Sequence, residues 1–176
     1  MSRAFTKEDD SLEAPIVPSR APLPSGTANY VTPRGLAHLR AEQATLEEAR
    51  TRAEANRENE TDRTRLLSLY NAKLVALNDR LNSARLIDPR MQPAQEVRFG
   101  ATVTLRTRVG DQLGTERRFT IVGVDEADVA EGRLAFVAPI ARAIQGARLG
   151  QLVPLALGPR PETVEVVGID YIEVLL

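Results

Sequence analysis

Three carboxylates, those of Glu58, Glu60 and Asp62, lie within five residues of one another, in a segment (residues 56–64) that has no apolar side chain. Carboxylate oxygens suit Mg²⁺, which is usually held by one or two protein carboxylates while a substrate or partner supplies the other ligands. A metal ion bound in this way could position and activate water for phosphodiester hydrolysis. The alternative is a charged, solvated turn in which the acids are neutralised by Arg57, Arg63 and Arg65. The residues alone leave both interpretations open.

The composition excludes several other kinds of site. The 176 residues include no cysteine and a single histidine, His38, so a thiol nucleophile, a disulfide framework and a cysteine-ligated zinc site are ruled out. The formal net charge is −1, without the basic excess of a domain held mainly by phosphate contacts. No run of apolar residues approaches the roughly 18 needed for a membrane span. We therefore expect a soluble, cytoplasmic protein with no cofactor of its own.

The carboxylates occupy the middle of a region with helical periodicity. Thr32-Pro33 has the form of a helix start, and no further proline occurs before Pro89. Two series of residues alternate steps of three and four, as the contact positions of a heptad repeat do. The series are Leu36, Leu39, Gln43, Leu46, Arg50 and Ala53, and Leu67, Tyr70, Leu74, Leu77, Leu81 and Ala84.

Residues of the two series can be paired so that their numbers add to 120, for example Leu39 with Leu81. This symmetry predicts an antiparallel helical hairpin that turns near Glu60, with Asp62 or Thr61 capping the second helix. A single long helix is disfavoured, because residues 56–64 contain several turn formers.

After Pro89 and Pro93 the apolar period changes to two. This alternation predicts strands over 97–105, 118–124, 151–157 and 163–172, with one short helix over 139–144. The predicted fold class is α+β, with an antiparallel helical hairpin followed by a domain built on a curved antiparallel sheet. The predicted organisation is a flexible, proline-rich leader (1–28), the hairpin (29–88) and the sheet domain (89–176).

A second acidic cluster, Asp125-Glu126-Ala127-Asp128, follows the second predicted strand. The sequence Asp-Glu-Ala-Asp suggests a helicase motif. However, the chain has no glycine-rich phosphate loop with lysine, and its length cannot supply two ATPase lobes. The cluster is therefore either a solvated loop or a contact surface.

The order of the motifs resembles that of the GreA/GreB family of bacterial transcript-cleavage factors, over about residues 29–172. The segments that carry the resemblance are 29–36 (NYVTPRGL), 86–89 (LIDP), 97–104 (VRFGATVT), 121–128 (IVGVDEAD) and 138–146 (APIARAIQG).

The resemblance implies a C-terminal FKBP-like domain that docks on the rim of the secondary channel of bacterial RNA polymerase, while the coiled coil enters the channel. Acidic residues at the hairpin tip, here Glu58, Glu60 and Asp62, would then help to hold a second magnesium ion shared with the polymerase active site. The protein would be a monomer that stimulates the hydrolysis catalysed by the polymerase, contacts backtracked RNA only indirectly and has no membrane partner. By motif position, the docking residues would be Asp125, Glu126, Asp128, Pro139, Ile140 and Arg142.

The tip departs from the family pattern, in which a glycine-aspartate pair and a further acid precede an asparagine-alanine-glutamate-tyrosine sequence. The hairpin is also about a dozen residues shorter, so each arm loses roughly 9 Å of reach. Cleavage stimulation is thus left open, and the alternative is a channel regulator or competitor that does not stimulate cleavage. A more remote alternative is an FKBP-like peptidyl-prolyl isomerase, although residues 89–176 contain few aromatic side chains to line its pocket.

Overall fold

The computed structural model describes residue 20, residues 22–158 and residues 160–171. Most of the predicted leader and the end of the last predicted strand, at Ile172, lie outside these residues. Two helices, α1 (Pro33–Ala55) and α2 (Glu60–Asn82), form an antiparallel hairpin, as predicted. The hydroxyl oxygen of Thr32 accepts a hydrogen bond from the Gly35 N–H at 2.9 Å, which caps α1.

The turn between the helices occupies residues 56–59, immediately before Glu60. The residue that caps α2 is Asn59, whereas Asp62 and Thr61 were the predicted caps. Asn59 Oδ1 accepts the Asp62 N–H at 3.0 Å, and the Asn59 amide donates to the Asp62 carboxylate at 2.6 Å. Asp62 is therefore the third residue of the helix, where its charge also favours the positive end of the helix dipole.

The predicted seam holds the two helices together. Leu39, Leu74 and Leu77 are buried between them, and partly buried Leu36, Leu46 and Leu81 also belong to the hairpin. The side chains of Gln43 and Asn78 are joined by a hydrogen bond of 2.8 Å. Towards the tip, the buried seam residue is Ala53, which is much smaller than leucine. Apolar burial is thus concentrated in the half of the hairpin away from the tip.

A short parallel strand pair that the sequence did not predict closes the base of the hairpin. Strand β1 (Asn29–Val31) pairs with β2 (Ala84–Leu86). The buried side-chain amide of Asn29 donates to the Arg80 carbonyl at 2.8 Å and to the Ser83 hydroxyl at 3.2 Å. These bonds fix the end of α2 to the segment that enters α1.

The remaining strands are β3 (Thr102–Val109), β4 (Glu116–Val122), β5 (Arg133–Ala135), β6 (Leu152–Leu155) and β7 (Glu162–Asp170). They form one five-stranded sheet in the order β5-β4-β3-β7-β6. All neighbours are antiparallel except β4 and β5, which are parallel, so the expected antiparallel sheet is in fact mixed. A short helix, α3 (Pro139–Ile144), lies between β5 and β6 and contributes Ile144 and Ala141 to the core.

The first strand of the sheet begins at Thr102, five residues later than predicted. Gly100 has a φ of 86°, and a side chain there would place a Cβ 2.9 Å from the Pro89 ring. The chain turns at this glycine, and the preceding Val97 instead forms backbone hydrogen bonds with Gly146 and Ala147, just after α3. Alternating residues of β3 and β7 are then fully buried, as a two-residue period requires.

Tyr171, just beyond β7, connects the end of this sheet to the segment before Gly100. Its hydroxyl donates to the Glu96 carbonyl at 2.5 Å and accepts the Arg98 N–H at 2.9 Å. Burial raises the pKa of this phenol above its usual value of 10.0, against the opposing effect of the Arg98 N–H.

We expect Tyr171→Phe to lower the free energy of unfolding by about 1–2 kcal/mol at pH 8, because two backbone groups lose their partner. Since the folded-state pKa lies above the unfolded one, this contribution is complete below pH 10 and is lost as the pH rises through the folded-state pKa. Urea denaturation at pH 8 and above pH 10 measures both effects. Tyr70→Phe, at a hydroxyl without a hydrogen bond to any described residue, is the control, and an equal effect of both substitutions would contradict the prediction.

Candidate functional site: the hairpin tip and base

The three predicted carboxylates lie together at the tip of the hairpin. Glu58 is in the turn, and Glu60 and Asp62 are in the first turn of α2. The Glu60 side chain is 87% exposed and has a long contact of 3.5 Å with Arg63 Nη2. The Asp62 carboxylate accepts a hydrogen bond from the side-chain amide of Asn59, and the Asn59 side-chain oxygen in turn caps α2.

This arrangement could contribute to a metal site but does not complete one. Among the described residues, no group of three or more histidine, aspartate or glutamate side chains is placed to hold a metal ion. Exposed carboxylates on a projecting turn can still offer one or two oxygens to an ion whose other ligands come from a partner. The residues therefore fit a shared magnesium ion and do not fit one bound by this chain alone.

At the opposite end of the hairpin, the base packs against the sheet domain through buried charges. The Asp125 side chain is 9% exposed, and its two oxygens face two arginines. Arg20 Nη1 lies 2.5 Å from Oδ1, and Arg80 Nε, in the last turn of α2, lies 3.4 Å from Oδ2. Burial by itself would lower the pKa of Arg20, but hydrogen bonds to Glu42 and Asp125 outweigh it and raise that pKa above its usual value. This guanidinium therefore stays charged.

Glu126 makes the second polar contact of the base. Its Oε2 accepts the Thr32 hydroxyl at 2.5 Å, and its Oε1 lies 4.0 Å from Arg34 Nε. The Thr32 hydroxyl thus has two hydrogen bonds. Its oxygen accepts the Gly35 N–H that caps α1, and its O–H donates to Glu126 in the sheet domain. The start of α1 is fixed to residue 126 through one side chain.

Close backbone approach and aromatic packing complete this interface. A Cβ at Gly123 would lie 2.8 Å from the Tyr30 carbonyl oxygen, so only glycine lets β1 approach this closely. The Tyr30 ring packs against Phe99 and Phe136, with centroid distances of 5.8 and 5.6 Å. The hairpin base therefore covers an aromatic surface of the sheet domain.

The six predicted docking residues fall into two groups. The Asp125 and Glu126 carboxylates are occupied inside the chain, because they bind the hairpin base. Asp128, Pro139 and Arg142 are exposed, and Ile140 is partly buried against the core. Asp128 accepts the N–H groups of Ala130 and Glu131 and pairs with Arg133. Docking by the six residues stays a prediction, and Asp128, Pro139, Arg142 and the exposed part of Ile140 offer the accessible surface for it.

Residues 92–171, which include all five strands of the sheet, match the family described as "Transcription elongation factor, GreA/GreB, C-term". The sheet domain is therefore a GreA/GreB C-terminal domain. The Transcription elongation factor GreA of Methylobacterium sp. (strain 4-46) is 33% identical over 105 residues, which are 60% of this chain and 65% of that protein. The Transcription elongation factor GreB of Neisseria meningitidis serogroup A is 37% identical over 99 residues, which are 56% of this chain and 58% of that protein. The chain thus matches less than two thirds of the length of these relatives.

Two solved structures align with most of this chain. The GreA factor homolog 1 (Gfh1) of Thermus thermophilus is 16% identical, with a TM-score of 0.38 over 82% of this chain and 99% of that one. The GreA/GreB factor of Nitrosomonas europaea is also 16% identical, with a TM-score of 0.40 over 82% of this chain and 99% of that one. In the described part of the chain, no helix has the length and hydropathy required to cross a membrane.

The sequence indicated the carboxylates of the tip but not the contacts at the base, which are made by Arg20, Arg80 and the Thr32 hydroxyl. Thr32 was predicted only as a helix cap, and Arg20 fell inside the leader. The adjacent acids Asp125 and Glu126 follow β4 closely, but they become a signal for cationic partners only once their burial is known.

Proposed function

We propose that this protein is a Gre-type transcription elongation factor that binds bacterial RNA polymerase in the cytoplasm. Its GreA/GreB domain docks on the rim of the secondary channel, and its helical hairpin enters the channel. The observation that carries the proposal is the attachment of a GreA/GreB domain to a projecting hairpin with three carboxylates at its tip. Each helix has 23 residues and is therefore about 35 Å long.

In this proposal the protein is not itself an enzyme. Glu58, Glu60 and Asp62 would supply one or two oxygens to a magnesium ion of the polymerase. The chemistry that such an ion supplies when bound would be the activation of water for hydrolysis of backtracked RNA. The polymerase supplies the remaining ligands and the contacts with RNA. The protein acts as a monomer, and a docking surface that includes Asp128, Pro139, Ile140 and Arg142 faces the polymerase.

A channel-binding regulator without cleavage activity is the second candidate, and the tip favours it in one respect. The family's sequence of tip residues is absent, and the Asp62 carboxylate is already engaged by Asn59. Such a protein would compete with other factors for the channel.

An isomerase is not favoured, because the aromatic residues that could line its pocket are engaged in packing. Tyr30 covers Phe99 and Phe136, and Phe119 is buried in the core.

An assay with backtracked elongation complexes tests the function of the tip. We expect Glu60→Ala and Asp62→Asn each to reduce the rate of RNA shortening by about tenfold to a hundredfold, as the loss of a group that supports a metal ion does. Glu47→Ala, at an exposed acid of α1 about 12 Å from the end of that helix, is the control and should leave the rate unchanged.

Competition with a labelled channel-binding factor for polymerase tests binding separately. Competition without RNA shortening by the wild type would identify the second candidate. Absence of both competition and shortening would overturn the proposed function altogether.

A further inference from the structure

Arg20 joins the two parts of the molecule from a segment outside both. Its Nη2 lies 2.5 Å from Glu42 Oε1 on α1, and its Nη1 lies 2.5 Å from Asp125 Oδ1 beside the sheet. The side chain is 21% exposed, so it is packed into the angle between hairpin and sheet domain. One guanidinium thus forms ion pairs with both parts at once.

The chemistry of the side chain suits this position. The planar guanidinium presents donors in several fixed directions, so two of its nitrogens can bind carboxylates on different elements. A lysine ammonium is a compact point charge on a flexible stem and would not fix the angle between the carboxylates in the same way. Arg80 lies on the other side of Asp125, so two arginines and two acids form a set without net charge.

The chain that connects Arg20 to the fold is short and conformationally restricted. Pro22 and Pro24 each fix their own φ, and the Thr27 N–H donates to the Pro24 carbonyl at 3.0 Å in a turn just before β1. Strand β1 is in turn paired with β2. Because fewer backbone conformations are available to such a segment, holding Arg20 in place requires less loss of entropy.

The position of the tip depends strongly on the base. For a hairpin of about 35 Å, a rotation of about 10° at the base would move the tip by about 6 Å. A displacement of even about 1 Å can lower the rate of a reaction that needs aligned groups. Contacts that fix the angle at the base therefore determine where the carboxylates of the tip act.

We propose that Arg20 is a positioning residue that fixes the direction of the helical hairpin relative to the GreA/GreB domain. The orientation is a property of the free protein, whereas its consequence at the polymerase rests on the proposed function. Residue 20 and residues 22–28 are then part of the interface that aims the hairpin.

Because the chain has no cysteine, two can be introduced and spin-labelled without removing any. Thr61→Cys at the tip and Leu113→Cys in the exposed turn between β3 and β4 give one distance that reports the hairpin direction. We expect a narrow distance distribution in the otherwise unaltered protein. Arg20→Ala should broaden it about twofold, since the hairpin base is then held by fewer contacts.

Glu42→Gln removes the hairpin end of the contact while keeping Arg20, and it should broaden the distribution in the same direction. Arg20→Lys should restore part of the narrow distribution, which loss of general stability would not explain. Arg40→Ala, at an exposed arginine of α1 without an ion pair to a described residue, is the matched control. Distributions for Arg20→Ala and Glu42→Gln that equal the control would overturn the proposal.

The polymerase assays separate this proposal from the proposed function. If the wild type neither competes for polymerase nor shortens RNA while Arg20→Ala broadens the distribution, the function is wrong and the positioning role stands. If the wild type is active and the Arg20→Ala distribution is unchanged, the positioning role is wrong and the function stands.

Discussion

Replacing Asp125 with alanine is expected to lower the free energy of unfolding by about 3 kcal/mol. The substitution removes the carboxylate that lies between the Arg20 and Arg80 guanidinium groups in a nearly solvent-free position. Arg20 keeps its ion pair with Glu42, but each guanidinium loses one contact and keeps its desolvation penalty, which is more damaging than the intact contact is stabilising. Urea denaturation followed by circular dichroism measures the change.

Asp128→Ala is the matched control, since it removes the same charge from the same loop. Its side chain is 45% exposed, pairs with Arg133 at 3.2 Å and accepts the N–H groups of Ala130 and Glu131, so we expect a loss of about 1 kcal/mol. Asp125→Asn keeps the shape and one acceptor and should have an intermediate effect. Equal losses of unfolding free energy for the alanine variants at 125 and 128 would show that the buried ion pairs of Asp125 do not stabilise the fold. Loss of polymerase binding by an Asp125→Ala protein of unchanged stability would return this residue to the docking surface.

The helical hairpin was predictable because the contacts that define it repeat along the sequence. Leucines at steps of three and four mark both helices, and the apolar-free segment between them marks the turn. The identity of the cap was missed, because Asn59, Thr61 and Asp62 all favour a helix start. Only the point at which the backbone becomes helical, at Glu60, shows that Asn59 is the cap.

The sheet was predicted where alternation is long enough to detect, as in β3, β4 and β7. Strands β1, β2 and β5 have three residues each. Each of them pairs in parallel with its neighbour, and no hairpin turn connects the two strands of such a pair. No local period identifies such a strand, because its partner lies beyond the window in which a period can be recognised. The late start of β3 depends on the approach of Gly100 to Pro89, which is likewise a tertiary contact.

The tip and the base of the hairpin also differ in how far the sequence predicts their contacts. The tip carboxylates are neighbours in sequence, so their proximity could be predicted. The base joins Asp125 to Arg20, 105 residues earlier, and a proline-rich composition predicted that the segment holding Arg20 is flexible. Acids in loops are usually solvated, and only the folded chain shows that Asp125 and Glu126 face the hairpin.

Leu77→Ala is expected to remove about 2–5 kcal/mol of stability, and this loss should fall on the hairpin. Leu77 is fully buried in the small cluster between α1, α2 and β1, in which the other buried apolar residues among those described are Val31 and Leu39. The sheet domain has a separate and larger cluster, so its core does not depend on Leu77. Hydrogen exchange should therefore accelerate over 33–55 and 60–82 in the variant, while the protection of β3, β4 and β7 persists.

Val75→Ala is the matched control for this prediction, because Val75 lies two residues away on the same helix and is 62% exposed. Its effect should stay within about 0.5 kcal/mol, as for most surface substitutions. Equal acceleration of exchange in the helices and the strands of Leu77→Ala would contradict the prediction. It would mean that the hairpin and the sheet domain unfold as one unit, coupled by the contacts of Asp125, Glu126 and Tyr30. If only the helices responded, the GreA/GreB domain could remain folded while the hairpin that it aims is lost. In that case Leu77→Ala should abolish any effect of the tip carboxylates on RNA shortening while leaving the docking surface of the sheet domain intact.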